Sequence, residues 1–154
     1  MRKQQSQTVS LGAPEKEELP EILALLEKCD LPREGLAGHL PTILVARNGK
    51  QIVGSSGLEV YHDCALLRSV AVDPLFRKRG IGHRLVKATF DLAKYHRVTN
   101  LYLLTETASA FFFTLGFEVI SRSDIPQKVQ QSIEFTTLCP DAALAMTISL
   151  RAGV

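Results

Sequence analysis

Ser69-Val70-Ala71-Val72-Asp73-Pro74-Leu75-Phe76-Arg77-Lys78-Arg79-Gly80-Ile81-Gly82-His83-Arg84-Leu85 is the stretch whose reading decides the fold. An apolar β-branched run ends at Asp73-Pro74, a turn signal, and so closes a strand. Three consecutive cations and two glycines at i and i+2 follow. Ile81 then opens a segment to about His96 in which Leu85, Val86, Ala88, Thr89, Leu92 and Ala93 form an apolar stripe at helical spacing. The unit is strand, basic glycine loop, helix. Gly80 and Gly82 lack Cβ atoms, so a ligand can approach the backbone closely. First-turn N–H groups of the helix have no intrahelical acceptor and carry the positive end of the dipole. Arg77, Lys78 and Arg79 add full charge, and the combination suits a pyrophosphate. A solvated basic loop at a helix start is the plainer alternative. Neither G-x-x-x-x-G-K-[ST] nor G-x-G-x-x-G occurs.

Working outward, Asn100 to Thr105 reads as the next strand. It is reached from strand 65–72 through one helical crossover, so the two strands are expected to be parallel. Upstream, runs 43–46 and 51–61 flank Asn48-Gly49, a strong hairpin signal, and run 65–72 completes an antiparallel meander. Residues 7–10 read as a first short strand. Glu15, Glu17 and Glu18 begin an amphipathic helix to about Lys28, with a short helix expected near 34–39. Downstream come a helix over 108–115 stopped by Gly116, a strand over 117–120, a short helix over 126–133 capped by Ser123 or Asp124, and a last strand over 142–150. The fold class is α/β, with a mixed sheet in a single domain over 1–154.

The bulk numbers agree with one ordinary globular unit. The chain has 154 residues, 45% of them hydrophobic and 22% charged. A formal net charge of +2 is too mild to argue for nucleic acid or a membrane surface. The basic residues cluster at one turn and not along a face. No apolar run approaches the ~18 residues needed to span a bilayer, and residues 1–10 lack a signal-peptide apolar core. The expectation is a cytoplasmic protein, monomer or homodimer, with no nucleic-acid or membrane partner. Cys29, Cys64 and Cys139 are scattered, so no metal site is expected and thiophilic arsenite binding is a minor alternative.

The pattern from Ser69 to Leu85 resembles the GNAT N-acetyltransferase superfamily, whose [QR]-x-x-G-x-[GA] motif follows a strand ending in V-D-P. Arg77, Gly80 and Gly82 take the motif positions. Phe111-Phe112-Phe113-Thr114-Leu115-Gly116-Phe117 resembles that family's later F-Y-x-x-x-G-F segment. Ala65-Leu66-Leu67-Arg68-Ser69, Tyr102 to Thr105 and Glu134-Phe135-Thr136-Thr137-Leu138-Cys139-Pro140 look like its arsenic-resistance-operon branch, whose better-studied relatives acetylate amino-acid analogues.

The resemblance implies acetyl-CoA as cosubstrate, held where two parallel strands splay apart. A bulge in the first strand leaves main-chain groups of Val70, Ala71 and Val72 for pantetheine, and the Val70 N–H steadies the thioester oxyanion. Arg77, Lys78, Arg79, Gly80, Gly82 and His83 surround the pyrophosphate. Phe112 stands where the family usually has a proton-donating tyrosine. Ser69 and Thr105 are left as substitutes beside the thiolate, which tolerates leaving unaided because its pKa is about 8.5.

An attacking amine must be neutral and needs a base. Glu59, near the end of its strand, and Glu106, just after the second parallel strand, are the candidates, with a surface carboxylate as the alternative for each. Arg68 interrupts an apolar strand. It either holds an acceptor's anion, with Ser69 beside it, or makes a structural ion pair or an exposed edge. The expected function is transfer of an acetyl group to a small-molecule amine, an amino acid or analogue, organoarsenicals included. A protein or peptide acetyltransferase and a non-catalytic acyl-CoA sensor are the alternatives. Phe112 keeps the last of these in play.

Overall fold

The computed structural model describes residues 8–135 and 142–150. The strands are β1 (Ser10–Gly12), β2 (Ile43–Asn48), β3 (Gln51–Tyr61), β4 (Cys64–Val72), β5 (Asn100–Thr105), β6 (Glu118–Val119) and β7 (Leu144–Ser149). The helices are α1 (Leu19–Lys28), α2 (Ile81–Tyr95), α3 (Ser109–Thr114) and α4 (Gln127–Gln130), with 3-10 turns at Lys16–Glu18, Leu36–Thr42, Pro74–Phe76 and Arg122–Asp124. One seven-stranded mixed sheet runs in the order β1-β2-β3-β4-β5-β7-β6.

Alternation along the strands sends successive side chains to opposite faces, and each face is covered by helix. Val45 and Ile52 pack with Ile22, Leu25 and Leu26 of α1. Their neighbours Ala46 and Val53 pack with Ile81 and Leu85 of α2. The same alternation continues in β4. Ala65 and Leu67 join Val86 and Ala93 of α2, while Cys64 and Leu66 face Ile125 and Val129 at α4. β5 repeats it, with Leu101 and Leu103 in the larger cluster and Tyr102 and Leu104 on the other face.

The first four strands form an antiparallel ladder, and the Asn48-Gly49 hairpin is present with Gly49 at φ 64°. β4 and β5 are parallel, as the crossover predicts. Their pairing covers Cys64, Ala65 and Leu66 against Asn100, Leu101 and Tyr102. Beyond that point β5 continues its ladder with β7 and β4 with β3, so the two strands separate toward their C-terminal ends.

Several expected boundaries move. The first strand lies at Ser10–Gly12, and residue 7 of the expected 7–10 span falls outside the described residues. The short helix expected near 34–39 is a 3-10 turn over Leu36–Thr42. The expected Ser123 or Asp124 cap is not used. Those residues form their own 3-10 turn, and α4 starts after Pro126, whose carbonyl accepts from Val129 and Gln130.

Candidate active site

The glycine loop is built by β4 and α2. Asp73 ends β4, and its carboxylate accepts from the Leu75 N–H at 2.9 Å while Lys28 of α1 donates to it at 3.0 Å. Backbone donation from Leu75, with help from Lys28, holds the Asp73 carboxyl below its usual range despite the opposing effect of burial. The turn is thereby pinned to the end of α1. Lys78 and Gly80 both take left-handed backbone conformations, at φ 65° and 79°. Glycine at 80 takes that conformation without strain, and space is not its constraint, since a Cβ built there meets nothing within 4 Å. Gly82 answers a different demand: a Cβ there would sit 3.1 Å from the Phe111 ring. Behind this loop α2 runs 15 residues, with its N-terminal dipole directed at the turn.

A cavity of about 570 Å³ opens in front of the loop. Val70, Ala71, Val72, Arg77, Lys78, Gly80, Gly82 and His83 line it together with Phe111 and Phe112. Thus nearly all of the expected phosphate-loop residues share one cavity wall. Two details differ from the sequence reading. Arg79 is not in that wall; its guanidinium donates to the Leu75 carbonyl at 3.2 Å and lies over the Phe76 ring at 4.9 Å. Arg77 lines the cavity, but its Nε donates to the Val72 carbonyl at 2.9 Å and so also ties the loop to β4. His83 Nε2 contacts Thr114 Oγ1 at 3.0 Å and its ring meets Phe111 edge-on, which makes it part of the wall.

The β4 backbone is irregular at the level of this cavity. Ser55 pairs with Ala71 and Gly57 with Arg68, so Ser69 and Val70 oppose the single residue Ser56. This is a β-bulge, and Ser69 holds φ 61°, an uncommon value for a non-glycine residue. The Ser55 hydroxyl donates to the Ser69 carbonyl at 2.7 Å and fixes the bulge from β3.

A second cavity, of about 320 Å³, adjoins the first. The two share Val70, Phe112, Ala108 and Thr107 of one wall and Cys29 and Leu31 of another. Arg68, Ser69, Thr105, Glu106 and Glu134 line the second cavity only. Thr105, expected on the cofactor side, therefore belongs to this second space, where its hydroxyl accepts from the Ala108 N–H at 3.0 Å. Glu106 lies at the exposed rim. Phe112 is buried in the shared wall, edge-on to Phe111 and Phe117.

Arg68 and Glu59 form a buried ion pair, Nη1 to Oε2 at 2.7 Å. Arg68 also donates from Nη2 to the Glu34 carbonyl at 2.9 Å and from Nε to Ser69 Oγ at 3.1 Å, with Glu134 Oε2 at 3.3 Å from Nε. Gly35 lets the 32–35 loop close over this group: it sits at φ 82°, and a Cβ there would be 3.4 Å from Arg68 Nη1. The structural alternative for Arg68 is what the geometry displays, because its donors are directed at the protein's own oxygens. Glu59 lines neither cavity. Burial raises its pKa, but donation from Tyr61, Arg68 and Ser132 outweighs that and holds the carboxyl below its usual range. Glu59, expected beside the acceptor, is thus held in an ion pair outside both cavities. Burial also raises the Tyr61 phenol, which donates to Glu59 Oε1 at 2.5 Å.

Glu134 is the residue that the sequence reading left without a role. It is 4% exposed and lines the second cavity. Burial pushes its carboxyl up to about 7, with Arg68 opposing and Glu59 reinforcing. No motif marks it; its position depends on how the 132–135 turn folds back over β4.

Residues 39–119 match the family model described as Acetyltransferase (GNAT) domain. An uncharacterized N-acetyltransferase of Chlorobaculum tepidum is 31% identical over 108 residues, 70% of this chain and 67% of that protein. The amino-acid acetyltransferase of Neisseria meningitidis serogroup A is 23% identical over 128 residues, 77% of this chain. This chain spans 29% of the length of that relative. N-acetylglutamate synthase from Neisseria gonorrhoeae, solved with coenzyme A and N-acetyl-glutamate, superimposes with a TM-score of 0.80 at 21% identity, covering 96% of this chain and 36% of that one.

Proposed function

The chain belongs to the GNAT acetyltransferase family, and from that premise we propose that it transfers the acetyl group of acetyl-CoA to the amine of a small molecule. The observation that carries this reading is the pair of cavities meeting at Val70 and Phe112. One has a basic glycine turn at a helix N-terminus. The other is lined by hydroxyls and carboxylates. A phosphorylated donor in the first and an amine in the second meet at the bulged backbone of β4.

The chain's own groups fit the donor. Lys78 and the first-turn N–H groups of α2 face the first cavity with positive charge, suiting a pyrophosphate. The bulge at Ser69 and Val70 interrupts the β3–β4 ladder where the β4–β5 pairing has already ended. Main-chain groups there are available to a pantetheine arm, and the Val70 N–H is the candidate for the developing oxyanion. Removing one such donor typically costs about 10²–10³ in kcat, though a main-chain donor can be tested only indirectly. Phe112 holds no dissociable proton, so the thiolate leaves without help from that side chain.

For the acceptor, the Neisseria likeness favours an amino acid or an amino-acid analogue. Arg68 is the lone Arg or Lys lining the second cavity among the described residues, and Glu59 already meets its charge. A carboxylate-bearing acceptor would rely on Ser69, Thr105 and main-chain donors. The resemblance to the arsenic-resistance branch adds organoarsenical amines to the candidates.

The deciding experiment measures CoA release with amino acids, organoarsenical amino acids and simple alkylamines. Amine-dependent release is expected with at least one class. Tight acetyl-CoA binding with no amine-dependent release would leave a binding module and remove the catalytic reading.

A further inference from the structure

We propose that Glu134 is the proton acceptor for the incoming amine, with Arg68 and Glu59 acting as its positioning pair. The inference rests on the acetyltransferase reading and adds a residue to it.

Four observations support the assignment. Glu134 reaches the second cavity, whose wall also holds Val70 and Phe112, the residues shared with the donor cavity. Its side chain is 6% exposed, so a proton exchanged there passes to an amine in the cavity more readily than to bulk water. Arg68 Nε stands 3.3 Å from Glu134 Oε2 and fixes that edge of the carboxylate. Glu59 takes the shorter contact to the same guanidinium, 2.7 Å, together with the Tyr61 hydroxyl.

The pair of carboxylates thus competes for one cation, and they divide the roles. A single guanidinium neutralises one carboxylate fully, and a second like charge close by is disfavoured. Glu59, with the better donors, stays ionised and inert. Glu134 has the longer contact to the guanidinium, and burial pushes its carboxyl up to about 7, which suits a general base. The other groups surrounding this site are Ser69 of β4, Ser132 ahead of Glu134, His39 at 3.8 Å from Glu59, and Asp30 and Glu106 at the cavity rim. Asp30 and Glu106 are exposed and favour entry of a cation such as an ammonium.

The Glu134 carboxylate takes one proton from the ammonium, and the neutral nitrogen attacks the thioester carbonyl carbon. The C–N bond forms, the C–S bond breaks, and the electron pair leaves on sulfur. The nitrogen's second proton ends on the CoA thiolate, giving the thiol. Glu134 returns its proton to solvent through the open rim. Overall, ammonium and acetyl-CoA give amide, CoA thiol and one proton.

The test uses Glu134→Gln and Glu134→Asp in the full chain, with the amine that the release assay identifies. In the wild type kcat/KM is expected to rise with pH through about 7. Glu134→Gln should lower kcat by at least about 100-fold and abolish that limb, with acetyl-CoA affinity unchanged because Glu134 is outside the donor cavity. Glu134→Asp should keep the limb and recover part of the rate. A purely structural role would lower stability or activity without removing the limb. A second readout needs no turnover. Carbon-13 NMR of glutamate-labelled protein should show one carboxyl titrating near 7 in the wild type, assigned by its absence from the spectrum of Glu134→Gln or of Glu134→Asp. If Glu134→Gln retains both kcat and the limb while the wild type turns over, the inference falls and the acetyltransferase reading stands. If the wild type acetylates no amine, both fall together.

Discussion

Arg68 shows how a single residue's surroundings decide its meaning. In sequence it is a cation in an apolar strand, open to a substrate or to an ion pair. In the fold it bonds Glu59, Glu34, Ser69 and Glu134. Truncating it leaves Glu59 buried without its closest counter-charge. Arg68→Met is therefore expected to lose about 3–5 kcal/mol in urea unfolding, and Arg68→Met combined with Glu59→Leu should regain a large part of that loss. The two carboxylates also impose opposite pH dependences. Glu59 is held below its ordinary 4.5, so its contribution is present above that value and is lost as pH falls through the depressed folded pKa. Glu134 is raised, so its contribution is complete below 4.5 and is lost as pH rises through about 7. Unfolding free energies measured between pH 3 and 9 should fall below about pH 4.5 through Glu59 and between about 4.5 and 7 through Glu134, and Glu134→Gln should flatten the second decline alone.

At the level of the element, the glycine turn combines two constraints that look alike in sequence. Gly80 serves the backbone conformation and Gly82 serves the approach of Phe111. Gly80→Ala is expected to cost about 1 kcal/mol through left-handed strain, read from the shift in thermal midpoint. Gly82→Asp places a carboxylate at the second position of α2. The helix dipole favours an acid there, by roughly 0.3–1 kcal/mol, which offsets part of the crowding against Phe111. The same carboxylate repels a pyrophosphate. Calorimetry should find acetyl-CoA binding lost in a variant that still melts cooperatively; undiminished affinity would refute the phosphate assignment.

The sheet as a whole is two antiparallel halves joined by a short parallel seam. β4 and β5 pair over Cys64–Leu66 and Asn100–Tyr102, and the cavities occupy the gap beyond. Leu66 and Leu101 are fully buried at the seam, on opposite faces. Leu101→Ala should cost about 2–5 kcal/mol in chemical denaturation. The gap also predicts where a ligand stabilises the molecule. In hydrogen exchange, acetyl-CoA should slow the amides of 69–72 and of the first turn of α2 more than those of β1–β2. Equal protection throughout would place the ligand elsewhere.

What the sequence determined was local and periodic. The alternating strands, the stripe of α2, Asn48-Gly49 and the Asp73–Gly82 turn are each encoded within a few neighbouring residues, so the meander, the parallel crossover and the basic glycine turn were legible in it. Side-chain partnerships across the chain were not. Arg68 meets Glu59 across a strand pair and Glu134 from 66 positions further along, and nothing local in the sequence marks that approach. Thr105 lines the second cavity for the same reason, since which cavity a side chain lines depends on packing between distant segments. Tertiary structure alone decided that Glu59 takes the 2.7 Å contact to Arg68 and Glu134 the 3.3 Å one, because both carboxylates are buried against a single guanidinium.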